Sequence, residues 1–384
     1  MKWPRVRCAD LFRVKHGYAF KSRFFDLSGP YVLLTPGNFY EEGGFRDQGE
    51  KQKYYTGDVP DGFILNGGDL LVAMTEQAEG LLGSSALIPE SNRYLHNQRL
   101  GLIVDLDESR LNKHYLYYLF NTREVRHQIS GSASGTKVRH TAPERIGRVE
   151  VKLPPLLIQR RIADTLSAYD GLIENNQRRM ALLEESARLL YREWSVRLRF
   201  PGHEHTRIVN GAPEGWERAP LEQALVLQRG YDLPSQDRQE GTVPIYASTG
   251  PNGYHNKAMA EGPGVVTGRS GTLGVVHYVT EDFWPLNTTL WVREFKRVTP
   301  IYAFFLLQEL KLEQYNGGVS VPTLDRKVVH HIPILIPSEK LLNLLNEYVE
   351  PIFIQITNLK LQNQKLKAAR DLLLPRLMSG EIAV

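Results

Sequence analysis

The chain has 384 residues, 42% of them hydrophobic, with a formal net charge of +4. That length is more than one compact core usually serves, so at least two domains are expected, and the single Cys8 excludes an internal disulfide and points to a reducing compartment. No apolar run reaches the ~18 residues of a membrane span, and the opening MKWPRVRCADLF lacks the apolar core of a secretion signal, so a cytoplasmic chain with no membrane contact is expected; the mild positive charge suits nucleic acid and suits ordinary solubility as well.

In chain order, residues 1–155 have the pattern of a mixed, strand-rich domain. Short aliphatic runs (YVLL, FIL, DLLVAM and LGLIV) alternate with Gly-Gly and Pro-Gly turns, and HYLYYLFNT at 114–122 has the pattern of a helix. Residues 156–200 switch to a helical period. PGHEHTRIVNGA at 201–212 is polar and turn-prone, marking a linker at the head of a second mixed domain, 201–337, which PEGWE at 213–217 opens. Strands are expected there at GVVTG, GVVHYV and LWVRE, and a helix at IYAFFLLQEL. Ser338 is placed to cap a last helix ending near Gly380, within the segment 338–384.

The two halves resemble each other. Trp3, Gly17 and Tyr18 recur with the same spacing as Trp216, Gly230 and Tyr231; Leu82-Gly83 recurs as Leu273-Gly274; Asn97 and Leu100 recur as Asn287 and Leu290. VEVKLPP at 149–155 recurs as IPILIPS at 332–338. The offset between copies falls along the chain, which puts the larger loops in the first copy. A period near half the chain is too long for a solenoid of ~20–50-residue repeats, so each copy is expected to be a folded domain followed by a helix.

The helices carry the sharpest periodicity. Ile162, Leu166, Tyr169, Ile173, Asn176, Met180, Leu183, Ala187, Leu190 and Trp194 alternate spacings of four and three without a break, the pattern of a coiled-coil seam. Leu345, Val349, Ile352, Ile356, Leu359, Asn363, Leu366, Arg370, Leu373 and Leu377 repeat that series position for position at one constant offset. In an antiparallel pair the partner numbers sum to a constant. Placing Asn176 opposite Asn363 sets Ile173 against Leu366, Met180 against Leu359, Leu183 against Ile356 and Tyr169 against Arg370, where a cation could lie over the ring. Pro351 is expected to kink the second helix and remove one backbone hydrogen bond.

At this point the residues resemble a known family, the DNA specificity subunit of Type I restriction-modification systems. The likeness is carried by LPPLLIQRRIADTLSAYDGLIENN at 153–176, LKAARDLLLPRLMSGEI at 366–382, PEGWE, and GRSGTLGVV followed by LNTTLWV. The second copy departs at Ser338 and Leu342, where the first has Pro155 and Gln159. The resemblance implies an α+β architecture: two mixed α/β target-recognition domains separated by two long helices that form an antiparallel coiled coil, with a pseudo-two-fold internal repeat. It also implies double-stranded DNA and two methyltransferase subunits as partners, with restriction subunits joined through the methyltransferase core. Methyl donor and ATP would sit on those partners, so no cofactor is expected here.

Catalytic motifs do not contest this reading. Pro154-Pro155 lies between Leu153 and Leu156, without the Asn/Asp and aromatic flanks that hold a flipped base in amino-methyltransferases. GPGVVTG at 262–268 has the wrong spacing for a nucleotide loop, and Pro60-Asp61 and Asp69 lack the following Glu-x-Lys or Asp-x-Lys of a metal-dependent nuclease. His203-Glu204-His205 lacks the four-residue spacing of a helical zinc pair, His330-His331 is expected on opposite faces of a strand, and Cys8 is expected to be a buried small residue.

Sequence-specific readers use Arg and Lys on phosphates and guanines, Asn and Gln on adenine edges, and aromatics for stacking. Candidates in the first domain are Lys51, Lys53, Tyr54, Tyr55, Gln77, Lys137, Arg139 and His140. In the second they are Asn252, Tyr254, His255, Asn256, Lys257, Arg269 and Ser270. Two other readings stay open from sequence: the specificity portion of a fused restriction-methylation enzyme, which methyl-donor binding would reveal, and a coiled-coil scaffold that binds no DNA.

Overall fold

The computed structural model describes residues 3–76, 80–135 and 138–384. The chain forms two compact units, Met1–Ile173 with Gln364–Val384, and Glu174–Asn363.

The first unit is built on a four-stranded antiparallel sheet in the order Arg13–His16, Leu100–Val104, Leu70–Ala73, Ser85–Leu87. Leu70 and Val72 pack with the helix Lys113–Phe120, while Leu71 and Ala73 pack on Val32, Leu34 and Phe39, as the two-residue period of a strand buried on both faces requires. A smaller sheet joins Phe25–Asp26, Tyr54–Tyr55, Tyr31–Leu33 and Tyr94–Leu95, the last two parallel. Arg5–Arg7 and Glu150–Lys152 close the unit as a separate antiparallel pair.

The second unit repeats this plan. Its sheet runs Leu225–Arg229, Thr289–Phe295, Gly264–Gly268, Val276–Val279, and Glu217–Pro220 pairs with Pro333–Ile336. The register repeats too. Val32↔Tyr94 and Leu33↔Leu95 in the first unit become Ile245↔Trp284 and Tyr246↔Pro285 in the second, displaced by the same offsets that separate Gly17 from Gly230 and Asn97 from Asn287. The repeated Gly-Tyr has a steric origin. A Cβ on Gly17 would stand 2.0 Å from the Asn97 carbonyl oxygen and one on Gly230 2.2 Å from that of Leu286, so only glycine lets the two backbones cross there.

The expected strands and the helices Lys113–Phe120 and Pro300–Glu309 are present, with three local differences. Phe63–Leu65 makes only an isolated bridge, Ile64↔Leu95. The segment 201–212 includes a 3-10 turn, His203–His205, and Ile208–Val209, which pairs with Ala212–Pro213. A helix that the composition concealed, Arg123–Gly131, buries only Val125 and Ile129 along an otherwise polar sequence. His330 and His331 are a correction: they end the short helix Arg326–His330 rather than alternate on a strand. Asp325 caps that helix by accepting from the Lys327 N–H at 2.9 Å, and His330 Nε2 accepts from the Leu227 N–H at 2.9 Å. Cys8 is buried, which pushes its thiol up to about 12.

Two long helices, Leu156–Tyr191 and Glu339–Ser379, begin at matching positions of the two copies, and each contributes to both units. Their entries differ as the sequences do. Gln159 is buried and ties three backbone groups, accepting from Asn112 N–H at 2.8 Å and donating to the carbonyls of Arg110 and Pro154. Its counterpart Leu342 instead joins the apolar core of the second unit. The second helix continues unbroken through Pro351. Pro351 and Glu347 are both exposed, so the carbonyl that loses its donor lies where solvent can serve it. Gly380, at φ +75°, ends the helix, with Glu381 N–H on Arg376 O and Gly380 N–H on Leu377 O.

No seam position is exposed, although Trp194 lies in the π-helical turn Arg192–Val196 that follows the first helix. In the second unit Asn176 Nδ2 donates to Asn363 Oδ1 at 2.9 Å, which sets the predicted register. In the first, Ile162 and Leu377 share a core, as do Leu166 and Leu373, and Ile173 and Leu366 are partly buried. Leu190 and Trp194 pack in one core with Val349 and Leu345; Met180, Leu183, Ile356 and Leu359 are all wholly or partly buried. Arg370 departs from expectation. It pairs with Asp170 at 2.5 Å instead of covering Tyr169, and Asp170 also accepts from the Tyr118 hydroxyl at 2.6 Å. Burial works against the Arg370 charge, but hydrogen bonds to Asp170 and Asp371 outweigh it and raise its pKa. A half-buried guanidinium gains more from a carboxylate than from a ring face.

Candidate nucleic-acid interface

In the first unit the candidate residues separate into a presented set and a supporting set. Lys51 and Lys53 are exposed and Tyr54 is half-buried beside Gln52. Tyr55 alternates inward, as the strand period demands, and is 2% exposed with its ring against Phe20, Phe24 and Phe25. It is a core residue, which corrects its assignment as a DNA contact. Gln77 and Lys137 lie outside the described residues.

Arg139 and His140 form a short ladder with Thr75 and Glu76. Glu76 is only 3% exposed, and its carboxylate accepts from the amides of Gly80 at 3.1 Å and Leu82 at 2.8 Å. Arg139 faces that carboxylate at 3.2 Å and donates to the Ser130 carbonyl and hydroxyl at 2.6 and 2.7 Å. Its guanidinium helps hold the fold while the side chain stays partly exposed. His140 is exposed, with Nδ1 at 3.1 Å from the Thr75 hydroxyl. Arg126, which sequence reasoning missed, donates to the carbonyls of Gly80, Leu82 and Glu41 from a position where burial lowers its pKa to about 10. Glu76 and Arg126 therefore fix Gly80 and Leu82 through both their amides and their carbonyls.

In the second unit the strand Gly250–His255 presents Asn252 and Tyr254, the latter 60% exposed. Arg238 donates to the carbonyl and side chain of Asn252, both at 2.9 Å. Asn256 donates to Gln239 at 2.7 Å and Lys257 is exposed. His255 is 6% exposed: Nδ1 accepts from the Gln239 N–H at 3.1 Å and the ring stands edge-on to Trp284. That burial removes it from the contact set, a second correction.

Arg269 and Ser270 follow the central strand Gly264–Gly268, where the sheet delivers them to one edge. Their amides both donate to the Thr288 carbonyl, and Arg269 Nε donates to the Asn287 carbonyl at 2.9 Å. Burial and the nearby Arg229 lower the Arg269 pKa, with Asp232 opposing them. Asp232 also accepts from Asn287 Nδ2 and lies 3.8 Å from Arg229. Arg229 beside Asp232, Arg269 bonded to the Asn287 carbonyl and the Asn287 amide thus make a donor-rich set suited to phosphate and guanine. Arg229 was not singled out in the sequence, although it directly precedes the repeated Gly230-Tyr231; Asn287 was noticed only as part of the repeat.

The loop after Tyr315 packs on this set. Gly271 N–H donates to the Pro322 carbonyl at 2.9 Å, and Leu324 N–H to that of Arg269 at 2.8 Å. Among the described residues no group of three or more His, Cys, Asp or Glu side chains is placed to hold a metal ion, and no helix is long and apolar enough to cross a membrane.

Comparison with known proteins agrees with this architecture. The chain is 26% identical over 299 residues to the Type I restriction enzyme MjaIX specificity subunit of Methanocaldococcus jannaschii, covering 70% of this chain and 69% of that protein. It is 28% identical over 180 residues to the EcoBI specificity subunit of Escherichia coli, covering 46% and 34%. The fold is that of the crystal structure of a Type-I restriction-modification system S subunit from M. genitalium: TM-score 0.59 at 18% identity, over 98% of this chain and 96% of that one. The Type I restriction modification DNA specificity domain matches residues 1–185 and 213–364, and the chain belongs to that family.

Proposed function

We propose that the chain is the non-catalytic recognition subunit of a Type I restriction-modification complex. Residues 1–155 and 201–337 each read one half of a split double-stranded DNA target, while the helical segments 156–200 and 338–384 set the spacing between halves. Two methyltransferase subunits dock on the chain, and restriction subunits join through them. Methyl donor and ATP bind to those partners.

The observation that carries this reading is the repetition of one fold with one register. Two copies with the same strand order and the same Gly-Tyr crossing present different polar edges, Lys51–Lys53 in one and Arg229–Arg269–Asn287 in the other. One scaffold bearing two unlike edges suits a target of two unlike halves. The register-fixed helix pair suits a spacer of fixed length. Genome-wide methylation mapping in cells with and without this chain, its methyltransferase present in both, tests the reading. One bipartite motif with an unspecified spacer should vanish with the chain. An unchanged methylation pattern, or a continuous motif, contradicts it.

A further inference from the structure

The hairpin at 316–324 carries a feature that a folded core does not explain. Val319 is wholly exposed, at 103% relative to an extended reference, and Val321 is 54% exposed. Exposed valines are common on mobile surface, but this hairpin is pinned from within. Asn316 Oδ1 accepts from the amides of Gly318 and Thr323, both at 2.9 Å, and Gly317 N–H donates to the Thr323 carbonyl at 2.9 Å. The crossing is so close that a Cβ on Gly318 would stand 2.0 Å from the Val321 carbonyl oxygen. The hairpin is also fastened to the segment carrying Arg269, through the Ser270↔Thr323 bridge and the bonds from Gly271 to Pro322 and from Leu324 to Arg269. Arg326 and Lys327 follow it and are exposed.

A rigid mount thus holds an apolar tip in solvent, beside a basic, donor-rich edge. The charge points to an anionic partner, and among base edges in the major groove the one apolar group is the thymine C5-methyl. A wedge between base pairs is the other use of an apolar side chain on DNA, but it favours long or flat residues such as Phe, Leu, Ile, Met and Pro. Valine is short and stiff about χ1, fitted to cover a methyl and too small to fill a base step.

We infer that Val319 is a specificity-determining residue that reads a thymine methyl group in the half-target of the second unit. This rests on the recognition reading above and adds a base to it. The test uses the complete methyltransferase complex, with the half-target of the second unit assigned as the one that changes when residues 217–330 are exchanged. Methylation rates are measured on duplexes in which each thymine of both half-targets is replaced singly by uracil, which removes only the methyl. Burial of one methyl predicts about a fourfold loss at one thymine of the second half-target. The loss should disappear in Val319→Ser, while penalties in the first half-target stay as in the wild type. Absence of thymine from that half-target overturns the assignment to Val319. So does a wild-type complex indifferent to every uracil there, or an equal uracil penalty in Val319→Ser. A uniform fall on all duplexes in the variant would mark a wedge or a fold defect, and overturns it too. Failure of the wild-type complex to methylate any specific sequence would instead refute the recognition reading itself.

Discussion

Arg269 is central to the proposed base reading by the second unit. Its Nε is bonded to the Asn287 carbonyl, and among the described residues its remaining guanidinium edge has no hydrogen-bond partner. If that edge meets guanine in a bidentate contact, Arg269→Ala should cost about 1–3 kcal/mol of binding at one position of one half-target and leave the other half unchanged. Competition binding across single-base variants measures this; an equal loss on every sequence would make Arg269 a phosphate contact. His96 makes a different prediction, about stability. It is buried, with Nε2 on the Leu100 carbonyl, and burial chiefly, with Lys15 and His16 nearby, lowers its pKa to about 4. Above its unfolded value of ~6.5 the residue is neutral in both states, so its contribution is fully present. As the pH falls from there toward 4 the unfolded chain binds a proton that the folded chain refuses, and stability is lost. The loss should reach about 2 kcal/mol between pH 7 and pH 5, read as the difference in urea midpoints; His96→Gln should shrink that difference, and an unchanged one would count against this account. Residue types alone located polar edges but not their orientation. Tyr55 and His255 were reasonable contacts by composition, yet strand alternation turns Tyr55 inward and packing on Trp284 buries His255, while Arg139 is tied to the buried Glu76 with part of its side chain still exposed.

At the scale of elements, the helix seam was legible because its signal is periodic and local. The spacing of four and three depends on helix geometry alone, and the two asparagines leave one register in which each has a polar partner. The 2.9 Å Asn176–Asn363 bond is that register. Cysteines placed at 176 and 363 should cross-link efficiently on oxidation, whereas pairs displaced by a heptad, 176 with 356 or 176 with 370, should not. Equal yields from all three would mean the pair slides. Replacing both asparagines by leucine should raise the melting temperature and at the same time raise the yield of the displaced pairs, since apolar seams pack in either register. Other elements were hidden for physical reasons. The helix Arg123–Gly131 buries two residues only, so its apolar period is too sparse to stand out. The Arg326–His330 turn is too short to show a period, and its signal was the capping Asp325 rather than its histidines. Arg370 pairs with Asp170 rather than Tyr169, on a carboxylate that also accepts from Tyr118, a residue distant in sequence.

For the whole molecule, the internal repeat foreshadowed the plan, and the structure adds that even the parallel strand pairing keeps the offsets between the copies. Two copies of one fold with separate cores are expected to act as separable readers. The proposed DNA edges were the least legible part, since loop geometry is set by distant contacts, as in the hairpin at 316–324, which is pinned by Asn316. The direct test is to replace residues 217–330 with the equivalent segment of a relative that methylates a different target, and to map methylation by the exchanged complex across a genome. One half of the motif should change to that of the donor, with the other half and the spacer length as before. A motif altered in both halves, or unaltered in either, would contradict the assignment of one half-target to each copy.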